Sequence, residues 1–168
     1  ETTTAGVDNK TLGAEVSAAA TETIQVTLAA EEQRQATAST KGSRTTAKAQ
    51  IDYSPSEAVT YKVYSQNTVK DQGIGAYNRY GAGVSAQLNK AWRMDAEVSD
   101  GTGGLGGRVF AAYDKEGNEN YYFGYEIDPT RNSNAGFDAQ ENGKFVLGGR
   151  RQINENVSVF GENSYDIF

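Results

Sequence analysis

Four carboxylates, Asp95, Glu97, Glu126 and Glu162, recur at alternate positions of stretches that read as strands. Paired acids of this kind hydrolyse glycosides, one protonating the leaving oxygen while the other attacks or activates water. Arg93, Arg108, Arg150, Lys48 and Lys62 occupy comparable positions, however. Acids and bases mixed on one face pair with each other and hold water, which needs no catalysis. The chain also has no histidine and no cysteine. The usual triad bases, cysteine nucleophiles, thiolate zinc sites and disulfides are thereby excluded. These residues predict a hydrated, charge-paired surface lining a lumen, and no enzyme.

Two other stretches resemble ligand loops in composition only. Residues 114–120, "DKEGNEN", alternate oxygen-bearing side chains as calcium loops do, but the glycine is fourth rather than sixth and the distal bidentate glutamate is missing. A hairpin turn is the expectation there. Residues 99–107, "SDGTGGLGG", lack the lysine and the following helix of a nucleotide loop. They predict a flexible loop whose glycines let a strand bend or bulge. No metal and no cofactor is expected.

The elements that must carry these residues have period 2. Trp92, Met94, Ala96 and Val98 alternate with Arg93, Asp95 and Glu97, and Tyr121, Phe123, Tyr125 and Ile127 alternate with Tyr122, Gly124 and Glu126. Ten strands are expected, over 12–20, 24–32, 45–53, 59–64, 80–88, 91–98, 107–114, 120–128, 144–152 and 157–165. Tight links at 21–23, 55–57, 89–90, 116–119 and 154–156 alternate with longer polar ones at 33–44, 65–79, 99–106 and 129–143. Antiparallel neighbours put alternate links at opposite ends of a sheet. Short and long links are therefore segregated, as in an up-and-down barrel crossing the bacterial outer membrane.

Residues 12–40, rich in alanine, glutamate and glutamine, also fit an amphipathic helix. Thr21, Thr23, Val26 and Thr27, with the alternating Ile24, Val26, Leu28 and Ala30, favour a hairpin instead. Residues 1–10 carry no pattern and read as a tail or loop end, leaving 11–168 as the barrel segment. With ten strands both termini lie on the long-link side, and Ser164 and Asp166 interrupt a closing strand. The expectation is a segment of a barrel of twelve or more strands, completed by further strands of the same protein or by a partner subunit. No signal peptide is visible at the start.

Tyr53, Tyr61, Tyr64, Tyr80, Trp92, Tyr113, Tyr121 and Tyr125 fall near strand ends. Girdles at the two membrane interfaces would account for them, since an amphipathic ring is stable where hydrocarbon meets water. The 168 residues fit one domain or a slice of one. A net charge of −6 argues against a nucleic-acid partner. With 23 % charged and 37 % hydrophobic residues the chain is no disordered acidic tail. No apolar run is long enough for a transmembrane helix, which leaves barrel strands of about 9–11 residues open. A secreted, soluble β-rich binding or structural module is the alternative reading.

The segments "TTAKAQIDYSPSEAVTYKVYSQ", "YGAGVSAQLNKAWRMDAEVSDGTGGLGGRVFAAYD" and "GKFVLGGRRQINENVSVFGENSYD" resemble barrel hairpins of large Gram-negative outer-membrane proteins. The likeness is to barrels at the end of long proteobacterial surface proteins, behind repeated extracellular-type domains. The shared pattern is a strand, a short "SPSEA" or "LNKAW" turn, and a strand ending in an acidic residue, over about residues 11–165. The resemblance implies an outer-membrane location, the lipid bilayer as partner and an anchoring or porin-like role, and it carries no catalytic residue.

Overall fold

A computed structural model describes residues 8–36, 41–115, 119–127, 143–155 and 157–166. Within them the chain is all-β: β1 (Asp8–Ala19), β2 (Ile24–Ala36), β3 (Lys41–Ser56), β4 (Val59–Gln72), β5 (Arg79–Gln87), β6 (Trp92–Gly101), β7 (Gly106–Lys115), β8 (Glu119–Ile127), β9 (Gly143–Asn154) and β10 (Val157–Asp166). They form one ten-stranded antiparallel sheet in chain order. All ten expected strands are present. β1 starts earlier than expected, because the backbone of Asp8 and Lys10 pairs with Ala36 and Arg34, so residues 8–10 belong to the sheet.

The helical alternative for 12–40 fails at the turn. Thr21 Oγ1 accepts the backbone N–H groups of Thr23 at 3.2 Å and Ile24 at 3.0 Å, reversing the chain between β1 and β2. Val16 then faces Leu28 and Ala18 faces Val26. On the other face the hydroxyls of Ser17 and Thr27 meet at 2.7 Å. β-Branched residues on a pleated surface outweigh the helix preference of the interspersed alanines and glutamates.

The links differ from expectation at one end. β3 runs for 16 residues and β4 for 14, so the long link expected over 65–79 shrinks to 73–78 and that over 99–106 to 102–105. Most of 33–44 is likewise strand, with 37–40 outside the described residues, as is nearly all of 129–143. Polar side chains such as Thr45, Gln66, Asn67 and Thr68 can be wet on both faces, so the ladder continues where apolar patterning stops. At the two links described in full, 73–78 and 102–105, strand extends into stretches expected as loop. At the opposite end Pro55 lies inside β3 rather than in the turn. It sits where the register shifts between Tyr53 and Ser56, a position suited to a residue with no N–H to donate.

The two faces of the sheet are inverted relative to a water-soluble domain. Val63, Phe123 and Leu147, all on the apolar face, are 52 %, 53 % and 55 % exposed. Lys62, Tyr64 and Gln66, on the polar face, are half-buried, and Thr27, Thr46, Arg79 and Ser99 are buried. Val146 is the one buried hydrophobic residue among those described. The sheet curls towards its polar side, where one cavity of about 420 Å³ takes its wall from strands β3 to β8. No second layer covers the apolar face among the described residues, since each strand touches only its sequence neighbours. Among the described residues β1 and β10 are each paired on one side only.

Candidate functional site

The concave face is organised by register. One register row runs Asp52, Lys62, Gly83, Glu97, Arg108, Glu126, Lys144 across β3 to β9, so charge alternates in sign wherever the row carries one. Glu97 is its centre. Its carboxylate accepts from the Lys62 ammonium and, at 2.9 Å, from the Tyr64 hydroxyl, and Arg108 lies 3.5 Å away. Lys144 stands 3.8 Å from Glu126. Such ladders keep charges compensated on a wet face.

Glycine makes these long reaches possible. Lys62 starts on β4 and Glu97 is on β6, so the lysine must lie across β5. The residue directly between them is Gly83, where a Cβ would come within 2.6 Å of the Lys62 side chain. Tyr64 lies likewise over Gly81, where a Cβ would stand 2.7 Å from the ring. On the far side Tyr122 crosses Gly148 of β9 to donate to Glu162 on β10. Each glycine is a gap that lets a side chain span two strands.

All nine expected lumen residues fall on this face by register parity. Lys48 lies over the Tyr64 ring at 5.4 Å, and Arg93 pairs with Asp95 at 3.0 Å on the same strand. Arg150, on β9, faces Asn120 and Phe160 across the register and is exposed. The acids first considered for glycoside chemistry each have a basic or hydroxyl partner. Asp95 meets Arg93, Glu97 meets Lys62, Tyr64 and Arg108, Glu126 meets Lys144, and Glu162 meets Tyr122. The register of Asp114 with Asn120 and Lys115 with Glu119 puts "DKEGNEN" at the β7–β8 hairpin, with 116–118 outside the described residues.

The aromatic residues sort into two groups on the convex face. Tyr53 and Tyr61 stack at 6.5 Å beside the β3–β4 turn, Trp92 and Tyr113 lie 5.2 Å apart, and Tyr121 faces Tyr113. All five are at the short-turn end. Tyr125 is at the opposite end, 5.3 Å from Phe145, and Tyr80 is there too, its hydroxyl 3.2 Å from Asp100. Tyr64 is not part of either group. It stands three residues from Tyr61, so the pleat points it to the concave face. A girdle assignment by nearness to a strand end overlooked that parity.

Arg79 was expected in a link and is instead the first residue of β5, 7 % exposed. Its guanidinium donates to Ser99 Oγ at 2.8 Å and to the carbonyls of Thr102 and Gly104 at 2.9 and 3.0 Å, with the Tyr77 ring 5.9 Å away. Gly103 and Gly104 have φ of 85° and 93°, a left-handed path suited to glycine that turns those carbonyls inward. The glycine-rich stretch is therefore a short link tied to β5. The signal for Arg79 was its parity with Gly81 and Gly83.

No family model, curated protein or solved structure matches this chain.

Proposed function

We infer that the chain is a β-barrel segment of a Gram-negative outer membrane, serving as anchor or pore for a larger surface protein or complex. The observation that carries this reading is the inversion of the sheet, with apolar side chains exposed on the convex face while Lys48, Lys62, Glu97 and Glu126 are half-buried on the concave one. In water, exposed valine, phenylalanine and leucine on one continuous face would need a covering layer. In lipid the same face is the solvated one, and the strand ladder satisfies the backbone. The two aromatic groups flank this face at its ends, where the interfaces would lie. Anchoring is favoured over passage of solutes by the resemblance to barrels that end long surface proteins. Further strands of the same protein or of a partner subunit complete the ring at β1 and β10.

The test is partitioning of the full-length protein. The reading expects a folded form that stays with membranes until detergent extracts it and migrates faster on a gel before heating than after. A folded monomer in plain buffer would favour a secreted soluble module.

A further inference from the structure

We propose that the concave face holds a binding site for small oxyanions, carboxylate or phosphate, centred on Lys48 and Arg79. The two cations lie on one register row, Lys48 opposite Gln66 and Gln66 opposite Arg79, and both line the 420 Å³ cavity. The charge lining that cavity is unequal. Lys48, Lys62, Arg79 and Arg108 face only Glu97 and Glu126. Both acids are engaged, Glu97 by Lys62, Tyr64 and Arg108, and Glu126 by Lys144. That leaves Lys48, held over the Tyr64 ring, and Arg79, whose donors go to a hydroxyl and two carbonyls. No carboxylate pairs with either among the described residues.

A buried guanidinium satisfied only by neutral acceptors keeps its full positive charge in a shielded place, and an anion there recovers the Coulomb energy that the neutral partners do not supply. This local excess of positive charge sits in a chain whose net charge is −6. Around the two cations the Gln66 amide and the Ser99 hydroxyl can each add a neutral donor to an oxyanion, whereas Gln50 already gives its amide to Asp52 at 2.9 and 3.0 Å. The site rests on the curl of the sheet and not on the membrane reading, so it is testable in whichever medium keeps the protein folded.

The experiment is calorimetric titration of the folded full-length protein with inorganic phosphate and, separately, succinate, at constant ionic strength, with glucose and choline as neutral and cationic controls. The expected result is saturable binding of phosphate or succinate and none of the controls. Lys48→Gln should weaken it about tenfold, as for loss of one charge-assisted contact, and Arg79→Lys by a comparable factor. Arg151→Gln, on the opposite face, should leave it unchanged. Because Arg79 also ties down the 102–105 link, Lys48→Gln is the decisive variant. No saturable binding of either anion, binding indifferent to Lys48→Gln, or a preference for choline would overturn the proposal.

Discussion

Side-chain reach on the concave face is decided by what is missing from the strand in between. Lys62 and Tyr64 meet Glu97 only because Gly83 and Gly81 leave the intervening strand bare. A Cβ at Gly83 would also lie 2.8 Å from the Ala96 carbonyl, which is backbone and cannot swing aside. Gly83→Val is therefore expected to cost about 1–3 kcal/mol of folding free energy, the usual range for overpacking. Gly161→Ala is its control, since a Cβ there meets nothing within 4 Å, and it should stay within about 0.5 kcal/mol of the parent. Urea unfolding of both variants in the same detergent checks the difference. Glycine's role at these positions was not legible in the sequence. A count of glycines does not reveal which ones stand opposite a lysine or tyrosine, and register supplies that information.

Strands were the most legible level, because alternation of the kind seen in β6 and β8 has one physical interpretation. Most strands present one apolar and one polar side in phase with their neighbours, while in β9 and β10 Arg151 lies on the apolar face and Phe160 on the polar one. Strand ends were less legible, because polar residues such as Gln66 and Thr68 suit a ladder in water as well as a loop. The in-phase faces make a prediction about individual positions. Phe123 lies mid-strand on the exposed apolar face, whereas Ala112 faces the wet concave side beside Tyr122. Phe123→Arg should destabilise the inserted protein by about 2–4 kcal/mol, as a cation on the lipid face does near the bilayer midplane. Ala112→Arg should cost about 1 kcal/mol or less, the scale of a surface substitution. Unfolding midpoints in lipid vesicles report both.

At the scale of the molecule, the described residues form one sheet with no layer over its apolar face. Among the described residues that face is exposed along the length of the sheet, while arginines, lysines and acids line the side towards which it curls. Fold class could be reached from periodicity and link order, because both reflect one-face burial. The surplus of positive charge around Arg79 could not, because it depends on which strands the curl brings to a common cavity. Whether the convex face meets lipid is decided most directly by single cysteines along β6, since the chain has none of its own. A fluorophore would be attached after Met94→Cys, Ala96→Cys or Val98→Cys on the apolar face, and after Asp95→Cys or Ser99→Cys on the polar one. In vesicles of brominated phospholipid a lipid-facing convex side gives strong quenching at 94, 96 and 98 and little at 95 and 99. Quenching at none of the five, or with no period of two, would contradict it.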